Sequence, residues 1–180
     1  MKFLIASLAL SFCLSAAATQ VDVEKSEFKW TASKVTGKHF GTVPIKSANL
    51  STNKKGRLKG GEFVLDLNAF TVDDIKGKWA AKFLKHMKSA DFFDVSKYPD
   101  AKLVLTKMRK GKAKGKLTVR GKTNTVKFPY TFKDGVYSGT MKFDRTKFDM
   151  KYGSKSFFKS LGDKAIDNEV VVDFKVVTTK

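Results

Sequence analysis

The chain has 180 residues, enough for one domain with a proper core, and no composition shift or Pro/Ser linker marks a second. Its formal charge of +19 attracts anions such as phospholipid or lipopolysaccharide head groups, nucleic acid or acidic ligands, and it also serves simple solubility. The single cysteine, Cys13, lies in the leader described next, so the remaining chain offers no disulfide, thiol catalysis or cysteine metal site.

Residues 1–18 read as a cleavable signal peptide. Lys2 precedes an apolar run from Phe3 to Leu14, too short to span a bilayer, and Ala16 and Ala18 have the spacing of a peptidase site. Cleavage after Ala18 predicts an exported, periplasmic protein and a single domain over residues 19–180. Phe12 before Cys13 argues against lipoprotein processing, which needs a small side chain there.

The exported part alternates like β-strand nearly throughout. Phe28, Trp30 and Ala32 alternate with Lys29, Thr31 and Ser33 in a first strand; residues 36–41 bend it, and residues 42–50 resume. Pro44 fits an edge or bulge, and residues 53–56 read as a turn. Phe63, Leu65 and Leu67 then point one way from a strand over 61–70.

Residues 71–90 form the one long helical pattern outside the leader. Thr71 and Asp74 suit an N-cap, and Ile75, Trp79, Phe83 and Met87 recur every four residues while lysines occupy the other faces. Gly77 weakens the first turn. The stripe reads as a helix seated on a sheet or as a lid, closed by Phe92 and Phe93, over something apolar.

Strands follow around Leu103 and Leu105, around Leu117 and Val119, from Val126 through Phe128, Tyr130 and Phe132, and from Tyr137 to Phe143. Residues 110–115 read as a tight basic turn and Asp134-Gly135 as a hairpin turn. A polar, irregular stretch over 144–167 precedes a last strand with Val170, Val172, Phe174 and Val176. The count is eight antiparallel strands and one inserted helix, an all-β pattern shared by a closed barrel and a sandwich.

Several stretches in this order resemble the YceI-like family of exported, lipocalin-like proteins: WTASK (30–34), HFGTV (39–43), GGEF (60–63), HMKSADFFDV with KYP (86–95 and 97–99), GKLTVRGKT (115–123), DRT (144–146), YGS (152–154) and LGDK (161–164). The resemblance covers essentially the whole exported chain. It implies an extended eight-stranded antiparallel barrel with the helix over one end. It also implies an enclosed amphiphilic isoprenoid-like, quinone-like or fatty-acid-like ligand, with homodimers among the members. The lysine density around residues 107–122 exceeds what that family suggests.

From the strand pattern, the expected ligand contacts are Trp30, Phe63, Leu65, Leu67, Phe128, Tyr130, Phe143 and Phe174 inside the barrel, with Trp79, Phe83, Phe92 and Phe93 in the lid. Lys110, Lys112, Lys114, Lys116, Arg120 and Lys122 form an expected basic patch for anionic membranes. Two histidines, His39 and His86, in separate motifs are too few for a metal site, and no nucleophile elbow or phosphate-cradling glycine loop is present. Arg145 beside Asp144 suits a buried structural pair or a head-group contact. The leading expectation is therefore a non-enzymatic carrier or sequestering protein for a lipid-like molecule, with no cofactor. The competing expectation is a basic surface-binding protein with a filled core; a nucleic-acid-binding barrel is opposed by the export signal.

Overall fold

The structure is a computed structural model and describes residues 19–53 and 57–179. The predicted leader and most of the predicted 53–56 turn lie outside the described residues. Ten strands and one α-helix run in the order β1 (Gln20–Lys34), β2 (Gly37–Thr42), β3 (Ile45–Thr52), β4 (Leu58–Asp66), α1 (Gly77–Lys88), β5 (Asp100–Arg109), β6 (Lys112–Val119), β7 (Lys122–Pro129), β8 (Thr131–Lys133), β9 (Val136–Asp144) and β10 (Ile166–Thr179). They form two five-stranded antiparallel sheets, β2-β1-β10-β9-β8 and β3-β4-β5-β6-β7, whose apolar faces share one core.

Two expectations change here. The strands number ten rather than eight, and the two sheets are separate hydrogen-bonded ladders, not a closed barrel. Proline explains both. Pro44 separates β2 from β3, and Pro129 ends β7 just before β8; at each point the chain leaves one sheet and joins the other. A residue without an N–H cannot extend the ladder, so the strand breaks and the continuation is free to pair elsewhere. The second pair, β7 and β8, reads in the sequence as one strand from Val126 to Phe132, and the strand expected over 42–50 spans Pro44. The segment 36–41, read as a bend, is mostly β2 itself, paired with β1 from Lys29↔Thr42 to Lys34↔Gly37.

Three hairpin turns share one local solution. Lys110-Gly111, Arg120-Gly121 and Asp134-Gly135 each have both central residues at positive φ, the geometry that matches strand twist in two-residue hairpins. The basic turn expected over 110–115 is thus only two residues long, and Lys112 onward already belongs to β6.

The helix is shorter than its sequence pattern. It begins at Gly77, and its preceding residue, Lys76, makes no side-chain cap. Thr71 and Asp74, expected as caps, serve β2 instead. The Thr42 N–H donates to Thr71 Oγ1 at 2.9 Å, and the Phe40 N–H donates to the Asp74 carboxylate at 3.0 Å. Gly41 makes this approach feasible, since a Cβ there would lie 2.2 Å from the Thr71 carbonyl oxygen.

Candidate functional site

The interior between the sheets divides into two parts. Toward the β5–β6 hairpin it is filled. Phe28, Phe63 and Phe128 are buried, and with Phe174 they form an aromatic stack with ring centroids 5.4–6.2 Å apart (Phe28–Phe63 5.7, Phe28–Phe174 6.2 and Phe128–Phe174 5.4 Å). The Leu58 N–H donates to the Tyr137 hydroxyl at 3.1 Å and satisfies the one polar tip in that packing. Only about 30 Å³ of void remains there.

Toward the opposite end the same sheets enclose a cavity of about 400 Å³, within the range of small-molecule sites, roughly 300–1,000 Å³. Trp30, Met141, Phe143, Val170 and Val172 line it from one sheet; Leu65, Ala101, Leu117 and Val119 line it from the other. Met141 also borders the small void, so it stands between the two parts. Phe83, His86 and Met87 on α1 close the end, with Phe70 before the helix and Phe92 and Phe93 after it.

The closing segments are held rather than loosely tethered. Trp30 stacks on Phe83 with ring centroids 6.2 Å apart and planes at 5°, and its Nε1–H donates to the Thr71 carbonyl at 3.1 Å. His39 Nδ1 lies 2.7 Å from Asp74 Oδ2, and its ring lies 4.8 Å from that of Phe83. Burial would raise the Asp74 carboxyl, but the Phe40 N–H and the His39 ring outweigh it and hold the group below its ordinary value. After the helix, the N–H groups of Phe93, Asp94 and Val95 donate to the carbonyls of Met87, Ser89 and Lys88. The polar segments 71–74 and 94–99 that flank the helix are thus hydrogen-bonded anchors.

Arg145 is 2% exposed and borders the cavity. Its guanidinium donates to the carbonyls of Asp167 (2.9 Å), Ile166 (3.1 Å) and Met150, so it brackets the 149–166 loop to the start of β10. Burial lowers its affinity for the proton, and the nearby Asp144 and Asp167 charges partly restore it. Of the two roles expected for Arg145, the structure shows the structural one, with carbonyls rather than Asp144 as partners. At the mouth, Lys34, Tyr152, Asp163 and Lys164 are exposed lining residues.

The expected contacts therefore separate by depth. Trp30, Leu65, Leu67, Phe83, Phe92, Phe93 and Phe143 line the cavity. Phe63, Phe128 and Phe174 belong to the filled part, while Tyr130 packs on Tyr137 with centroids 5.9 Å apart. Trp79 does not close the cavity; it is 62% exposed. A strict four-residue repeat rotates about 40° per step around a helix, so the stripe drifts and only Phe83 and Met87 face inward. The predicted basic patch is also divided. Lys110 and Lys112 sit at the filled end, whereas Arg120 and Lys122 turn at the mouth end, where Arg120 donates to the Asp149 carbonyl at 2.8 Å and Lys122 lies 3.8 Å from its carboxylate.

A model of the YceI-like domain matches residues 17–178. Curated relatives include UPF0312 proteins of Pseudomonas putida, 49% identical over 53 residues, a stretch that is 27% of this chain and 28% of theirs. Among solved structures, BcnA of Burkholderia cenocepacia superposes with a TM-score of 0.68 at 21% identity, over 89% of this chain and 100% of that one. A polyisoprenoid binding domain from Saccharophagus degradans, implicated in plant cell wall breakdown, gives 0.65 at 15% identity, over 89% and 97%. A YceI protein of Campylobacter jejuni gives 0.53 at 17%, over 99% and 92%.

Proposed function

The chain belongs to the YceI-like family, and on that premise we propose that it is an exported, non-enzymatic carrier or sequestering protein for a lipid-like amphiphile, isoprenoid-like in its chain. The observation that carries this reading is the apolar cavity of about 400 Å³ beneath α1, left open although the same sheets are packed solid a few residues further along. Burying ten methylene equivalents contributes roughly 8 kcal/mol before the cost of association. Polar groups gather at the mouth, where Lys34, Asp163 and Lys164 suit a hydrated head group while the chain lies against Trp30, Leu117 and Val172. The similarity to a polyisoprenoid binding domain supports the choice of chain chemistry.

Native mass spectrometry of the purified protein tests the proposal. A co-purifying lipid mass, released by organic extraction and identified by fragmentation, is the expected result. Protein that remains free of lipid after purification and after incubation with prenyl alcohols and quinones would overturn it. One feature favours a second reading, a basic surface-binding protein: Lys107, Lys114 and Lys127 lie directly opposite one another across β5, β6 and β7. Like charges in that register oppose folding and mark a surface suited to anions. The same spectra separate the readings, because surface binding needs no lipid mass. Cell fractionation that finds the protein in the periplasm would support the export proposed from residues 1–18.

A further inference from the structure

We propose that the rim of the cavity mouth is a docking surface for anionic lipid bilayers. The first support is an asymmetry in exposure. Of the large apolar side chains left exposed among the described residues, Val35, Phe40, Trp79, Tyr152, Phe157 and Phe158 come from the β1–β2 hairpin, α1 and the 149–166 loop, the segments that surround the mouth. Val23 and Phe132 alone belong to the opposite end. Single exposed apolar residues are ordinary, but a group confined to one opening marks an interaction surface.

The second support is that the exposure is built in. Phe157 and Phe158 are 50% and 48% exposed, yet the N–H of each donates to the Ser154 carbonyl at 3.0 Å. Ser154 is itself wholly buried, its hydroxyl donating to Asn168 Oδ1 at 2.7 Å and accepting from the Ser156 N–H at 3.2 Å. A hydrogen-bonded turn therefore presents two adjacent phenyl rings to solvent, on the loop whose Tyr152, Asp163 and Lys164 line the mouth.

The third support identifies the partner by its charge. Cations are interleaved with these rings: the ammonium groups of Lys78 and Lys82 each lie 5.8 Å from the Trp79 ring, and that of Lys151 lies 5.2 Å from Phe157. Lys78 and Lys82 make no ion pair among the described residues. Aromatic rings favour the boundary between head groups and acyl chains, and lysines around them favour anionic head groups. A second copy of this chain is a poorer occupant, since two such rims would oppose their lysines. Docked this way, the mouth faces the bilayer; on the carrier function proposed above, an apolar chain then passes between membrane and cavity without crossing bulk water.

The inference concerns the outer rim and does not depend on what the cavity holds, so it is tested with lipid-extracted protein. Co-sedimentation uses phosphatidylcholine vesicles with and without phosphatidylglycerol. Binding to the anionic vesicles is expected to exceed binding to neutral ones on the order of tenfold and to weaken as salt is added. A variant combining Trp79→Ser, Phe157→Ser and Phe158→Ser is expected to lose on the order of tenfold in anionic-vesicle binding. A variant combining Lys110→Gln, Lys112→Gln and Lys114→Gln, at the filled end, is expected to stay within about twofold of the parent, since charges beyond a Debye length of the bilayer are screened. Thermal unfolding of both variants, unchanged from the parent, verifies that only the surface has been altered. The two tryptophans give an independent readout: a blue shift on anionic vesicles that Trp79→Phe abolishes while half-buried Trp30, on the cavity wall, remains. Equal binding of parent and rim variant, an equal loss in the filled-end variant, no preference for anionic lipid, or a dimer that hides the rim in sedimentation without vesicles would each overturn the proposal.

Discussion

Two lengths of one interior, built by the same strands, have opposite packing. On β4, Phe63 belongs to the filled part, while Leu65 lines the cavity just beyond it. On β10, Phe174 completes the aromatic stack and Val172 borders open volume. The ladders continue across this boundary without interruption, from Gly61↔Leu105 to Asp66↔Asp100 on one sheet and from Glu169↔Asp144 to Val177↔Val136 on the other. The difference therefore lies in side-chain volume rather than backbone architecture. A fold held by its filled part can leave the other part hollow, because close packing is required somewhere in a core but not everywhere.

The sharpest way to test that division is to damage the filled part. Phe28→Ala, at a site 2% exposed, is expected to cost ~3–5 kcal/mol in denaturant unfolding and to lower Tm on the order of 10 °C. The surviving folded molecules should keep their cavity and whatever it binds. If Phe28→Ala removed lipid without loss of stability, the two parts would not be distinct.

A matched pair of enlargements comes next. Ala113 is buried in the filled core, and Ala101 lines the cavity. Ala113→Leu is expected to destabilise by ~1–3 kcal/mol through overpacking, whereas Ala101→Leu should be nearly neutral in unfolding and should reduce lipid uptake measured by mass spectrometry. Similar costs for both would mean that the cavity wall is already at its packing limit.

Smaller effects on stability are expected from the closing segment. Phe83→Ala, at a half-buried site on α1, should cost about 1 kcal/mol. It should raise the off-rate of a fluorescent isoprenoid analogue more than Val172→Ala does, because Phe83 covers the exit and Val172 only lines the wall. Phe92 is buried against His86 and Tyr152, so Phe92→Ala should act on stability as well as release. Stopped-flow release at matched stability separates the cases.

The weakest effect is expected from acid. The Asp74 carboxyl titrates below its ordinary value in the folded state, so its contribution to stability is complete above that ordinary value, about 4, and is lost as pH falls through the lower folded value. Asp74→Asn should therefore flatten the acid limb of a Tm–pH profile and leave the profile above pH ~5 parallel to the parent. A parallel acid limb would show that the tie from Asp74 to Phe40 and His39 adds nothing to folding.

How much of this was legible in the chain depends on which physical period carries it. Alternation of apolar residues revealed the inward faces of β4, β6, β9 and β10, because a period of two assigns a side chain to a face. It carries no information on depth, so Phe63 and Leu65 read alike although one fills the core and the other borders a void. Pro44 was recognisable as an interruption, but a missing N–H does not say whether the next strand stays in its sheet or joins another. Thr71 and Asp74 carried a genuine capping signal that tertiary contacts with β2 overrode. Ser154 and Asn168, fourteen residues apart in a polar stretch, offered no local pattern from which a buried hydrogen bond could be read.

Met141 stands alone between the filled and open lengths, touching both. The partition is thus made of side chains that no hydrogen-bonded ladder depends on, and its position is free to move under mutation. Shortening Met141, then Phe63 or Phe174, would slide the partition along the axis and deepen the cavity while every strand kept its register; enlarging Ala101 would slide it the other way. Capacity in this scaffold is adjustable in steps of one residue pair, which lets descendants of one ancestral chain diverge in the length of molecule they accommodate without first reinventing the fold.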